Sequence, residues 1–155
     1  MTGTIARSLA RASLWRNPAV VESDETGYNS AEFIISWRCF LEGLELTHLL
    51  VDALLDKKGI DILVLDIHTQ AVFADFFVIC SGDSEPQLRA LMQAVQLEAK
   101  KQGDRMPKGV EGTPADGWIL VDFGDVVVHL FAVEKRAYYD LESLWHKGRV
   151  VLRMQ

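Results

Sequence analysis

Gly117-Trp118-Ile119-Leu120-Val121-Asp122-Phe123-Gly124-Asp125-Val126-Val127-Val128-His129-Leu130-Phe131 reads as two β-branched and aromatic-rich strands joined by Gly124-Asp125. That dipeptide supplies the positive φ that a two-residue turn needs, so the stretch is predicted to be a β-hairpin. On its first strand the period of two puts Trp118, Leu120 and Asp122 on one face and Ile119, Val121 and Phe123 on the other. Neither face is polar as a whole. Such a hairpin must be covered twice, by the domain's own helices on one side and by something else on the other, unless its sheet is wholly interior.

Outward from the hairpin, Tyr138, Leu141, Leu144 and Trp145 mark a short helix from Ala137 to Trp145. Residues 146–155 carry charge and a Val150-Val151-Leu152 run but no assignable element. On the upstream side, Gly103 to Asp116 is rich in glycine and proline and reads as an ordered but irregular connection. Before it, Ser84-Glu85-Pro86-Gln87 opens a helix by the capping-box rule, with Leu88, Leu91, Met92, Val95 and Ala99 on one stripe and an end at Gly103. Asp61 to Ile67 and Asp75 to Gly82 are nearly continuous apolar strands, and the short link between them suits antiparallel pairing. Leu46, Leu49, Leu50, Ala53 and Leu54 share a helical face, with Gly59 after Lys57-Lys58 as a stop signal. The order from Leu46 is α-β-β-α-β-β-α, a small α/β or α+β domain on a mixed sheet.

A chain of 155 residues is one domain's worth. With 49% hydrophobic and 25% charged residues it has an ordinary globular composition, and no apolar run approaches the ~20 residues of a membrane span. A net charge of −6 argues against holding nucleic acid by its phosphates, which takes clustered lysine and arginine, and favours a basic or neutral partner. Cys39 and Cys80 lie far apart, and Cys80, in an apolar strand, reads as a small buried thiol; together they suggest a reducing compartment and no metal site.

Residues 1–45 differ from the rest. Up to Val21 there are three arginines and no acid, after which Glu22, Asp24 and Glu25 turn the segment acidic. Three readings stand side by side: an organellar targeting segment, a disordered or loosely helical extension, and a translated region upstream of the true start. The latter two are favoured, because 46–145 reads as self-sufficient, with 146–155 as a tail.

Several chemistries are suggested by letter only. Asp122-Phe123-Gly124 matches the magnesium-binding triplet of kinases, but no glycine-rich loop or His-Arg-Asp loop accompanies it, so it reads as a turn. Asp122 and Asp125 could form a metal-binding pair and Ser81 to Ser84 a phosphate loop in a small nucleotidyltransferase-like enzyme. Metal carboxylates of that kind usually sit one residue apart on a single strand, whereas here a turn separates them, and Ser84 is better explained as a helix cap. His48, His68, His129 and His146 show no metal-ligand spacing, and His129 reads as a hydrogen-bonded core or rim residue. Trp118 and Trp145 are either core or the aromatic anchors of a protein interface.

From about Leu46 to Trp145 the chain resembles the ribosomal silencing factor family, also called RsfS or Iojap. The resemblance lies in Asp61 to Asp66, Asp75 to Gly82, Gly109-Val110-Glu111-Gly112, Trp118 to His129 and Tyr139 to Trp145, in that order. It implies a non-enzymatic factor, with no cofactor and no metal, on a nucleotidyltransferase-like fold lacking the catalytic carboxylates. Members of that family bind ribosomal protein L-fourteen on the large subunit and block joining of the small subunit, lowering translation when nutrients are short. Carried over by position, the partner-binding residues are Trp118, Leu120, Asp122, Phe123, Tyr139, Glu142 and Trp145. Trp118 and Phe123 would be apolar anchors, and Asp122 and Glu142 would pair with lysine or arginine at the rim. Phe123 stands where a leucine is common in the family. The resemblance implies neither nucleic-acid readout nor membrane contact. It places the protein in the bacterial cytoplasm, or in an organelle if the N-terminal segment is a transit peptide. A homodimer that covers its own hairpin face is the rival assembly.

Overall fold

The computed structural model describes residues 30–155. The expectations made for the arginine-rich and acidic parts of the N-terminal segment lie outside those residues. The chain runs α1 (Ser30–Asp56), β1 (Ile60–Asp66), β2 (Phe76–Gly82), α2 (Glu85–Gly103), β3 (Gly109–Thr113), a 3-10 turn (Pro114–Asp116), β4 (Trp118–Asp122), β5 (Val126–Ala132), α3 (Val133–Tyr139), α4 (Leu141–Leu144) and β6 (Arg149–Met154). The six strands form one mixed sheet in the order β3-β4-β5-β2-β1-β6. Among the described residues only β2 and β5 run parallel, and the other pairings are antiparallel.

The hairpin forms where the sequence puts it. Asp122 pairs with Val127, and the Phe123 N–H donates to the Val126 carbonyl at 2.9 Å, which leaves Gly124-Asp125 as the two-residue loop. Gly124 takes φ +97° while Asp125 keeps a negative φ, so glycine is needed at the first turn position only. The period-two reading also holds: Ile119 and Val121 are buried in one cluster while Trp118 and Leu120 pack at the edge of another.

The first cluster is the main core. Leu50, Leu54, Leu88, Leu91 and Val95, from α1 and α2, close over Ile62, Val64, Val78, Val121 and Val128 of the sheet. Fully burying one such side chain contributes about 2 kcal/mol. The opposite face carries Leu63, Leu65, Ile79, Phe77, Val127 and Phe131, and α3 and α4 roof its β1-β2-β5 part through Leu141 and Trp145.

Four sequence expectations need correction. The helix expected from Leu46 starts at Ser30 among the described residues, so the boundary drawn at 46 falls inside it; it extends because Phe40 and Leu44 still reach the core and the Phe40 ring packs 5.0 Å from Phe76. Gly109–Thr113 within the supposed irregular connection is strand β3, paired with β4. The tail supplies β6, paired with β1. The helix expected over 137–145 begins at Val133 and breaks at Asp140, whose φ of +43° separates α3 from α4.

The helix ends show why glycine is an imperfect marker. At the end of α1 the left-handed residue is Lys58, φ +59°, and the N–H groups of Lys58 and Gly59 donate to Leu55 and Leu54 in a Schellman arrangement. Gly59 is needed for another reason: a Cβ there would sit 2.5 Å from the Cys80 Sγ. Ser84 caps α2, its hydroxyl accepting from the Gln87 N–H at 3.4 Å. The Gln87 side chain accepts from the Asp83 N–H at 2.7 Å and donates to the Lys58 carbonyl at 2.8 Å, so it ties the start of α2 to the end of α1.

Candidate functional site

Cross-strand register lines up the residues of the second face. Glu111, Leu120, His129, Ile79 and Leu63 form one row; Gly109, Asp122, Val127, Phe77 and Leu65 form the next; Thr113, Trp118, Phe131 and Ser81 form a third. Among the described residues α3 and α4 roof β1, β2 and β5 and reach β4 through Tyr139 against Trp118, which leaves the β3-β4 part of these rows as an open shelf. Trp118 and Leu120 are its half-buried floor, Glu111 and Asp122 stand on it, and Tyr139 of α3 is its wall.

Aromatic rings run across this face in contact. Trp118 stacks on Phe131 with centroids 5.0 Å apart and tilts against Tyr139 at 4.7 Å. Trp118 Nε1 donates to His129 Nδ1 at 3.4 Å, which fixes the indole and puts the imidazole proton on Nε2. The His129 ring meets Phe77 edge-on at 4.8 Å, Phe77 meets Trp145 at 5.1 Å, and Trp145 meets Phe73 at 6.0 Å. Burial, with no charge nearby to compensate, pushes the His129 pKa down to about 4, so the ring is neutral at pH 7. Its Nε2 is buried and has no hydrogen-bond partner among the described residues.

Of the residues expected to bind a partner, Trp118, Leu120, Asp122, Tyr139 and Trp145 share this face. Tyr139 is 41% exposed, and Asp122 uses one carboxylate oxygen to accept from the Gly124 N–H at 2.7 Å. Phe123 does not join them: it is buried in the helix-side core, because an odd position on the hairpin faces away from Trp118. It is therefore no surface anchor.

Glu142 is also not free at a rim, since it is held by Arg136. The Arg136 side chain is 8% exposed, and its Nε donates to Glu142 Oε1 at 2.8 Å. Its Nη1 donates to the Asp61 carbonyl at 2.5 Å and to the Ser81 hydroxyl at 3.0 Å. Nη2 lies 2.7 Å from Glu142 and 3.3 Å from Asp61, in ion-pair contact without an aligned hydrogen bond. Arg153 of β6 grips Asp61 from outside with two bonds of 3.1 Å. The lock ties α3, α4, β1, β2 and β6 together and so fixes the wall that carries Tyr139 and Trp145. A lone arginine in a sequence gives no sign of this role.

The residues that suggested an enzyme in the sequence are not brought together. A cavity of about 520 Å³ lies at the carboxyl ends of β2 and β5, but its arginines are already engaged by Asp61 and Glu142. Asp122 faces the shelf, whereas Asp125 points to the other side of the sheet, where it pairs with Arg105 and lies against α1 at Gly43. The two carboxylates cannot meet one ion. Ser81 is buried under Arg136, and Ser84 is occupied as a cap. Cys80 is a buried thiol whose pKa is raised to about 12, chiefly by burial. Among the described residues no group of three or more His, Cys, Asp or Glu could hold a metal ion, and no helix is long and apolar enough to cross a membrane.

Comparison with known proteins accounts for this design. A relative from Halalkalibacterium halodurans, named ribosomal silencing factor RsfS, is 44% identical over 101 residues, covering 65% of this chain and 86% of the relative. The maize protein named Iojap, chloroplastic, is 34% identical over 96 residues, covering 62% of this chain and 41% of its own. The crystal structure of a Chromobacterium violaceum protein superimposes with a TM-score of 0.64 at 40% identity, covering 66% of this chain and 85% of that one. The sequence profile described as "Ribosomal silencing factor during starvation" matches residues 42–154, from within α1 to the end of β6. The chain belongs to the ribosomal silencing factor family.

Proposed function

We propose that this protein acts in the bacterial cytoplasm as a non-enzymatic brake on translation. It binds the large ribosomal subunit through ribosomal protein L-fourteen and sterically prevents the small subunit from joining when nutrients are limiting. The observation that carries this reading is the open shelf: a stacked Trp118 and a half-exposed Tyr139 with Glu111 and Asp122 beside them, on a protein of net charge −6. Aromatic side chains held rigidly at the centre of a patch supply most of the energy of protein interfaces. Acids around them speed encounter with a basic surface and repel RNA phosphates. The name of the Halalkalibacterium relative ties that protein to ribosome silencing, in agreement with the proposal. Asp122 keeps its place as a rim residue, while Phe123 and Glu142 act inside the fold.

The test is sedimentation with purified ribosomal particles. Wild-type protein is expected to travel with isolated large subunits, to be absent from joined ribosomes, and to lower the yield of joined ribosomes when added first. Trp118→Ala should weaken the interaction by on the order of 2 kcal/mol, about thirtyfold. Unchanged binding by a folded Trp118→Ala protein contradicts the proposal.

A further inference from the structure

The aromatic row does not end at the shelf. Phe73, in the loop between β1 and β2, lies 6.1 Å from Phe77 and 6.0 Å from Trp145, yet it is 62% exposed, and its neighbour Val72 is fully exposed. This loop is built to hold them there. The Ile67 N–H donates to the Asp75 carbonyl at 2.8 Å, the Gln70 and Ala71 N–H groups donate to the Ile67 carbonyl at 2.8 and 2.9 Å, and the His68 ring Nδ1 is 2.5 Å from the Asp66 carboxylate. Phe73 is thus presented over two packed rings, at the tip of a loop whose base is closed by its own hydrogen bonds. Residues 69–74, Thr-Gln-Ala-Val-Phe-Ala, hold no charge at all. An exposed, uncharged apolar tip in contact with an aromatic row is the form of an interface.

We infer that the partner makes a second contact at Phe73 and Val72, joined to the Trp118 shelf through the buried rings of His129 and Phe77 and the half-buried Trp145. The inference rests on the function proposed above and extends it to a second, apolar lobe. The occupant it requires is one protein surface with two characters. At the Trp118 end it presents cations to Glu111 and Asp122, and at the Phe73 end it presents an uncharged apolar patch. RNA does not fit the second lobe, since 69–74 offers no cation to a phosphate backbone.

The experiment measures affinity for isolated large ribosomal subunits at fixed salt, with Trp118→Ala as reference. Phe73→Ser and Val72→Asp are each expected to bind roughly tenfold more weakly than wild type, and Phe73→Leu within about twofold of it. Val72→Asp changes a side chain that is fully exposed, so its melting temperature should match wild type and its affinity reports the interface alone. Trp118→Ala weakened with both Phe73→Ser and Val72→Asp at wild-type affinity overturns the second lobe and leaves the silencing function standing. Wild-type affinity in all three overturns both.

Discussion

The Arg136 lock gives the most searching test of how this fold holds the wall of the open shelf. Arg136→Met keeps most of the aliphatic stem and removes three aligned hydrogen bonds together with ion pairs to Asp61 and Glu142. Breaking a fully buried pair costs about 3–5 kcal/mol, because a charge is left without compensation. Here the stranded carboxylates are each about a quarter exposed, and Asp61 keeps the Arg153 fork. The loss should therefore fall at the low end, about 3 kcal/mol. For a chain of this size that lowers the melting temperature by about 10 °C. Urea denaturation of Arg136→Met, Glu142→Gln and the double variant completes the cycle. Most of the single-variant cost comes from isolating one charge, so the double variant should be at least about 1 kcal/mol more stable than the sum of the two losses predicts. Losses that add within about 0.5 kcal/mol would refute the coupling and leave Glu142 free for an external cation.

Two further perturbations bear on the sheet itself. His129 titrates near 6.5 in the unfolded chain and at about 4 when folded, so between those values the unfolded state binds more protons and stability falls as the pH drops. The full loss below pH 4 is on the order of 3 kcal/mol. Replacing it by His129→Asn should flatten that limb of a stability-against-pH curve from urea melts, and an unchanged slope would assign the acid sensitivity elsewhere. Gly59→Ala should destabilise by about 1–3 kcal/mol, since the new methyl meets Cys80 Sγ, the Leu54 carbonyl and Leu91 in a closed core. Adding Cys80→Ala should recover part of that loss in a thermal melt, and no recovery would show that the clash is with backbone.

How much of this was legible in the sequence depends on the range of each interaction. The hairpin was legible because Gly124-Asp125 and the flanking alternation are local, and so was the two-sidedness that places Trp118 away from Ile119. Strand β3 was not, because Gly-Val-Glu-Gly-Thr has one apolar β-branched residue and is a strand only by pairing with β4. For β6 the Val150-Val151-Leu152 run was visible, but its partner β1 lies at the other end of the domain. Helix ends were found within a residue from Gly59 and Gly103, although Lys58 and Asp104 take the left-handed positions. In the candidate site, the aromatic residues were legible by type and by family resemblance. Phe123 was misplaced by treating resemblance as stronger than its own strand parity. Glu142 looked free because Arg136 is six residues away, across a helix break that only the Asp140 backbone reveals.

The single parallel pairing, β2 with β5, fixes a timetable for assembly. Strands β1 and β2 can close on each other as soon as residue 82 is available, but the far edge of β2 faces nothing until residues 126–132 have been made. During that interval a strand buried on both sides in the finished protein, Phe76 to Gly82, offers bare amides and carbonyls to any neighbouring chain. In order of synthesis this long-range pairing becomes available before β6 can dock on β1, and pairings so distant in sequence form slowly. A domain that reads as small thus completes its sheet only once residues 149–154 have been made, and shorter fragments are expected to be the more prone to aggregate.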